Sequence, residues 1–283
     1  MIAVDFEYYQ AFSITEAVEM FQRLRNEGKS PIFYSGGTEI ITMMRTNQLY
    51  TETRVVIDIK TIPECTVLES QGDRLVIGAA VPLSQLEEWS EFPLLGKNCS
   101  RIADHTSREK ITIGGNICGN IKYKEAILPL LLTDCDLVVA GESGVKQIPI
   151  NQTFDQQVNL DPGSFIVQIL VDKQWIDLPF VSKKMTRIGR IGYPLFTVSG
   201  IQKEDQVRLA FSGLCEFPFR SSDVEETLNR SDQSLEKRIN EAIGQLPAPL
   251  LDDIYGSAAY RAFVLRQVLE ESLLELKGDG NGR

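Results

Sequence analysis

Two paired-glycine segments, Ser35-Gly36-Gly37-Thr38 and Thr112-Ile113-Gly114-Gly115-Asn116, constrain this chain more than any other feature in it. Adjacent glycines give a backbone conformations closed to other residues and let another group come close to the main chain. The first pair follows Pro31-Ile32-Phe33-Tyr34, which reads as a short strand, and precedes a helical stretch from Glu39 to about Arg45 with Thr38 as its cap. Hydroxyls and main-chain N–H groups at such a strand-to-helix junction form a cradle for a diphosphate. Taken alone, the same four residues read more simply as a tight turn. The second segment repeats the design, with a hydroxyl, paired glycines and a polar side chain, and runs into another permissive turn at Ile117-Cys118-Gly119-Asn120. Neither segment continues into the Gly-Lys-Ser/Thr of a P-loop, and neither is a G-x-G-x-x-G. Two separate glycine loops suit a long, bent ligand with a diphosphate in its middle, such as a dinucleotide.

Around these loops, helical and strand patterns alternate. Ser13-Ile14-Thr15-Glu16 is a capping box opening an amphipathic helix with Ala17, Phe21 and Leu24 on one face, closed at Asn26-Glu27-Gly28. Residues 55–59 and 75–79 read as buried strands, with helices to follow near 83–89 and 93–103. Beyond the second loop the pattern is a buried helix at 126–132, strands at 136–140, 146–150 and 165–171, and a turn at Gly141-Glu142-Ser143-Gly144. Past Lys173 it changes to three successive strands, 180–187, 195–201 and 207–213, and two helices around 234–246 and 257–276. The tail from Gly278 to Arg283 reads as frayed. The class is α+β, with a boundary near residue 175.

Composition removes several classes of function. The formal net charge of −10 argues against a nucleic-acid partner, since phosphate backbones are held mainly by Lys and Arg. The five cysteines, Cys65, Cys99, Cys118, Cys135 and Cys215, are scattered without a C-x-x-C, which argues against zinc or iron–sulfur ligation within the chain. The odd cysteine count, an N-terminus without a basic leader and the lack of a spanning apolar run point to a cytoplasmic protein outside the membrane. A single histidine, His105, rules out any two-histidine metal site. It reads as a hydrogen-bonded structural residue, and any difficult chemistry is left to a cofactor. Tyr123 reads equally as a packing residue or as a partner for a ring. The helix 235–241 is a solvated face, and 259–276 is core or a subunit contact.

Five segments in order resemble the FAD-binding medium subunits of the xanthine dehydrogenase and carbon monoxide dehydrogenase family of molybdenum hydroxylases, along nearly the whole chain. They are Ser35–Ile40; Val56–Ile59 with Ile77-Gly78-Ala79; Thr112–Ile117; Phe180–Arg187; and Gly256–Arg261. Through Gly114–Gly119 and Glu125–Leu132 the resemblance is nearest to Bacillus-type xanthine dehydrogenase flavoprotein subunits. It implies an FAD-binding domain of the vanillyl-alcohol-oxidase (PCMH) type with two subdomains over residues 1–175. A small α/β domain like the C-terminal part of carbon monoxide dehydrogenase flavoproteins, a three-stranded sheet plus helices, would follow over 176–283. Ile32, Phe33, Tyr34, Ser35, Gly36, Gly37, Thr38 and Glu39, with Ile111, Thr112, Ile113, Gly114, Gly115 and Asn116, would wrap the diphosphate and ribityl chain. Cys118 and Ile166 would touch the cofactor through their backbones, and Lys183 would approach its adenine or diphosphate end. Glu125 stands where most relatives carry Asp and would keep the carboxylate role with a longer reach. Lys122 and Lys124 flank Tyr123 unusually, and Arg190-Ile191-Gly192-Tyr193 replaces the acidic residues of relatives.

The resemblance implies an oxidoreductase subunit, of xanthine dehydrogenase type in purine catabolism. A molybdopterin-binding large subunit and a 2Fe-2S small subunit are the implied partners, with NAD+ or oxygen as acceptor, and no catalytic side chain or metal is implied in this chain. An FAD subunit for carbon monoxide, or for nicotinate or another aromatic substrate, and a structural subunit that has lost its flavin, stand as alternatives.

Overall fold

The computed structural model describes residues 5–46, 49–50, 52–53, 55–186 and 192–278. Arg187, Arg190, Ile191 and the tail past Gly278, singled out above, lie outside them. Among the described residues the elements begin with β1 (Glu7–Gln10), α1 (Ile14–Asn26), β2 (Pro31–Tyr34), α2 (Thr38–Thr46), β3 (Val55–Asp58), α3 (Pro63–Thr66), β4 (Leu68–Gln71) and β5 (Arg74–Gly78). Then come α4 (Leu83–Glu88), α5 (Pro93–Cys99), α6 (His105–Arg108), α7 (Ile113–Cys118), α8 (Ile127–Leu132), β6 (Asp136–Gly141), β7 (Gly144–Pro149), α9 (Ile150–Thr153), β8 (Phe154–Asp155), β9 (Gln157–Val158) and β10 (Phe165–Asp172). The chain closes with β11 (Phe180–Met185), β12 (Phe196–Lys203), β13 (Gln206–Ser212), β14 (Phe219–Arg220), α10 (Ser222–Asn229), α11 (Leu235–Ile243) and α12 (Ala258–Leu276). The architecture is α+β.

The chain folds into two compact units. The first holds Met1–Glu88, His105–Asn120 and Asp134–Lys173, and the second holds Trp89–Asp104, Ile121–Thr133 and Gln174–Arg283. Two short stretches from the first half of the sequence are therefore part of the second unit.

In the first unit a parallel sheet of order β1-β3-β2 stands with an antiparallel sheet of order β4-β5-β10-β6-β7. Val55, Val56 and Ile57 of β3 are buried, as expected of a central strand of β-branched residues in a parallel sheet, and so is Asp58, which closes it. The capping box works with a shift of one residue. The Ser13 hydroxyl accepts from Glu16 N at 3.1 Å, while the Glu16 carboxylate reaches back to Phe12 N at 2.7 Å rather than to Ser13 N. The buried face of α1, Ala17 and Leu24, shares one core with Val55 and Ile57 of β3 and Phe165 and Val167 of β10. Burial of a leucine such as Leu24 stabilises by about 2 kcal/mol. Strand β1, Glu-Tyr-Tyr-Gln, has no apolar alternation, and it forms because it has an edge to add to.

In the second unit the antiparallel sheet β11-β12-β13-β14 is covered on both faces. One face, with Val181, Phe196, Val198, Leu209 and Phe211, packs on α10–α12. The other is polar at its centre and meets α5 and α8. There Asn98 donates to Glu125 O and Ser199 Oγ, each at 2.9 Å, and accepts from Ser182 Oγ at 2.7 Å. The three expected strands are present, and a two-residue fourth, too short to show a period, pairs with β13. Helix α10 was also not anticipated; the Ser221 hydroxyl caps it by accepting from Val224 N.

Candidate functional site

The first glycine loop leaves the C-terminal end of β2 and enters α2. Ligands of parallel α/β sheets collect at this end of the strands, where a helix offers N–H groups of its first turn that have no partner within the helix. Gly37 takes φ +69°, in the left-handed region, and its Cα lies so near the Tyr34 ring that an added Cβ would overlap it. The second segment forms more helix than its glycines suggest. Thr112 caps α7, with its hydroxyl accepting from Gly115 N at 3.3 Å. Gly114 packs on Ala79, whose carbonyl accepts from Gly114 N at 2.8 Å, and a Cβ there would lie 2.8 Å from that oxygen.

The fold brings the two loops into backbone contact. A Cβ on Gly36 would overlap the Lys110 carbonyl oxygen and come within 3.0 Å of Thr112 N. Gly36 N donates to the Thr112 hydroxyl at 3.4 Å, so one hydroxyl caps α7 and ties down the first loop. A second tie comes from Glu39 in the first turn of α2. Its carboxylate accepts from Asn120 N at 3.0 and 2.8 Å and from the Tyr50 phenol at 2.8 Å. Burial first, then the Glu39 carboxylate, pushes the Tyr50 phenol far above its ordinary value. The approach to the second loop is fixed by Arg108, which grips Glu87 of α4 through Nε at 2.8 Å and Nη2 at 3.2 Å.

Two polar atoms in this arrangement find no protein partner among the described residues. They are Ser35 Oγ in the first loop and Asn116 Oδ1 in α7, and both are buried. A buried polar group left unpaired costs about 1–3 kcal/mol. A hydroxyl that can donate to a phosphate oxygen and an amide oxygen that can accept from a ligand hydroxyl fit a phosphorylated polyol such as FAD. Ile32 and Phe33 lie in β2, and Ile111 precedes the Thr112 cap. Ile166 is in β10 beside a bulge whose Val167 carbonyl accepts from Ala79 N at 2.9 Å, one residue pairing away from Gly114. Cys118 ends α7 with its side chain exposed. Glu125 and Lys183 belong to the second unit. Glu125 is buried and pairs with Lys184 Nζ at 3.1 Å, and Lys183 pairs with Glu275 of α12 at 2.5 Å.

His105 lies on the surface between the carboxylates of Glu87 and Glu109, each 3.8 Å away. Tyr123 is buried and stacks on Tyr193 at 5.0 Å between ring centres, with Tyr255 edge-on at 6.0 Å. Burial first, then the Asp253 charge, raises its phenol to about 12. Sequence reasoning missed the group beside the first loop. Lys60 Nζ reaches Ser35 O at 2.9 Å and Asp58 Oδ2 at 2.5 Å, and Asp58 also accepts from the Tyr8 phenol at 2.5 Å, which raises that phenol to about 12. The only signal was an aspartate closing an apolar strand with a lysine two positions on. Among the described residues no cluster of His, Cys, Asp or Glu is arranged to hold a metal, and no helix is long and apolar enough to cross a membrane.

The chain is 24% identical to the xanthine dehydrogenase FAD-binding subunit of Escherichia coli O157:H7 over 86% of each chain. It is 28% identical to the carbon monoxide dehydrogenase medium chain of Hydrogenophaga pseudoflava over 54% of this chain and 53% of that one. A solved structure of carbon monoxide dehydrogenase from Hydrogenophaga pseudoflava contains a chain of the same fold, with TM-score 0.86 at 21% identity, covering 99% of this chain and all of that one. Residues 4–173, which include both glycine loops, match the family described as the FAD binding domain in molybdopterin dehydrogenase. That match spans more than half of the sequence, and this chain belongs to that family, as an FAD-binding oxidoreductase subunit.

Proposed function

We propose that this chain is the FAD-binding electron-transfer subunit of a xanthine dehydrogenase of purine catabolism, working in the cytoplasm with a molybdopterin-binding large subunit and a 2Fe-2S small subunit. The observation that carries the FAD assignment to particular residues is the pair of glycine loops in backbone contact, with Ser35 Oγ and Asn116 Oδ1 buried and unpartnered. In this reading residues 1–175 form the vanillyl-alcohol-oxidase type domain and 176–283 the small C-terminal domain. When bound, FAD would supply the redox chemistry between a partner's iron–sulfur clusters and an acceptor, NAD+ or oxygen. The chain's own residues hold and orient it. N–H groups of the first turn of α2 would hold the negative diphosphate, the Ser35 hydroxyl would donate to it, and Asn116 would accept from a sugar or ribityl hydroxyl. Glu39 is anchored to Asn120 and Tyr50 and keeps the two loops in register. Cys118 and Ile166 offer main-chain groups at the edge of this cradle, and Glu125 and Lys183, which belong to the second unit, are candidates by family resemblance alone.

The xanthine assignment rests on likeness to the Escherichia coli xanthine dehydrogenase subunit along most of the chain. A medium subunit for carbon monoxide or another substrate is the second reading, favoured by the 28% identity to the carbon monoxide dehydrogenase chain. The test is an absorbance spectrum of the purified chain before and after mixing with FAD, with Gly37→Val and Gly115→Val alongside. A flavin band in the wild type that both variants lose supports the cradle. No band with excess FAD refutes it. Reduction of NAD+ by the co-purified complex with xanthine, set against carbon monoxide, then separates the two substrates.

A further inference from the structure

The peptide joining Ser35 to Gly36 is held from both ends. Its carbonyl accepts from Lys60 Nζ at 2.9 Å, and its N–H donates to the Thr112 hydroxyl at 3.4 Å. In a trans peptide these two groups point in opposite directions, so bonds at both ends stop the plane from rotating. The next N–H groups, at Gly37 and the start of α2, take their direction from that plane. Lys60 is itself immobilised. Its backbone N–H donates to Asp58 Oδ1 at 2.9 Å, its ammonium pairs with Asp58 Oδ2 at 2.5 Å, and it lies 4.6 Å above the centre of the Tyr34 ring. Tyr34 is the ring against which Gly37 packs. The ammonium therefore touches the carbonyl at the start of the loop and the ring beneath its second glycine.

Asp58 has less need of this ammonium than the loop does. It is 2% exposed and still accepts from the Tyr8 phenol and from Lys60 N without the lysine side chain. The Lys60 side chain, by contrast, is 42% exposed. A mainly structural salt bridge would not need to extend to Ser35 O. We propose that Lys60 is a positioning residue for the FAD site, acting through the Ser35 carbonyl to fix the first glycine loop in its diphosphate-binding orientation. This inference rests on the reading of the two loops as the FAD cradle.

The test measures FAD affinity of the full chain by flavin fluorescence for the wild type, Lys60→Met, Lys60→Arg and Lys60→Gln, with melting of each FAD-free protein recorded in parallel. Methionine removes both donor and charge, glutamine keeps a donor for the Ser35 carbonyl, and arginine keeps both. A hydrogen bond from a charged donor corresponds to about a tenfold change in affinity, the loss expected for methionine. Arginine and glutamine should recover to within about threefold of wild type, and all three variants should fold without FAD, with methionine and glutamine, which both remove the charge paired with Asp58, melting alike. Methionine binding FAD within about twofold of wild type overturns the proposal, as do arginine and glutamine variants no better than methionine. A methionine variant that no longer folds without FAD also overturns it, because Lys60 would then serve the fold. A wild-type chain that takes up no FAD refutes the cradle itself, which is a separate failure.

Discussion

Gly36→Ala tests the contact between the two loops with the least disturbance to anything else. The added methyl group would overlap the Lys110 carbonyl oxygen and sit 3.0 Å from Thr112 N. Both neighbours are backbone, and neither is loose. Lys110 N and Ile111 N are bonded to Ser107 O at 3.0 and 2.9 Å, and Ile111 O accepts from Leu83 N at 2.8 Å. The second loop cannot swing aside as a side chain would, so the first must move. Overpacking of this kind costs about 1–3 kcal/mol. Separation also breaks the Gly36 N–Thr112 hydroxyl bond, worth about 1 kcal/mol more. A loss of about 2–4 kcal/mol from the cradle corresponds to FAD binding weaker by about 30-fold to several hundred-fold. The assay is titration of the FAD-depleted full chain, followed by flavin fluorescence. Gly28→Ala is the control. Gly28 has φ +78° and open space around its Cβ position, so alanine there should cost about 1–2 kcal/mol of stability through backbone strain and leave FAD affinity unchanged. If Gly36→Ala binds FAD as tightly as Gly28→Ala does, the argument from loop contact is wrong.

Two further outcomes follow from the second unit. Lys184→Met should destabilise by about 3–5 kcal/mol in urea, because it leaves the buried Glu125 carboxylate without its partner at 3.1 Å; the double change with Glu125→Met should recover much of that loss, and a single variant as stable as wild type would refute the pair's role. Burial works to raise the Asp253 carboxyl, but Arg261 Nη2 at 2.8 Å and Tyr255 N at 2.9 Å hold it below its ordinary 3.8. A depressed folded value means that this contribution is complete above the unfolded value and lost as pH falls through the folded one. Melting curves of wild type and Asp253→Asn should therefore differ at neutral pH and converge under acid, and a gap that persists in acid would contradict the assignment.

The elements that sequence made legible are those whose residues carry their own instructions. Ser13 with Glu16 announced α1, the β-branched run of β3 announced a buried strand, and paired glycines after an apolar run announced a strand-to-helix turn. Local hydrogen-bond chemistry and side-chain period act over a few residues, and they survive in a one-dimensional reading. The ligand class followed from the same short-range logic once two such loops occurred in one chain. What the sequence could not contain was distance. Gly36 faces Lys110 and Thr112, Glu39 latches Asn120, and Lys60 holds Ser35 because strands β2 and β3 lie side by side and the Ala79–Leu83 segment carries the second loop. Residues 89–104 and 121–133 join the later half of the chain for a similar reason, since α5 and α8 cover a sheet face whose serines need Asn98 as a partner. Strand β1 is the plainest case: a tetrapeptide whose two tyrosines favour a strand but show no alternation pairs with β3 because an open sheet edge satisfies its backbone groups, and only tertiary structure supplies that edge.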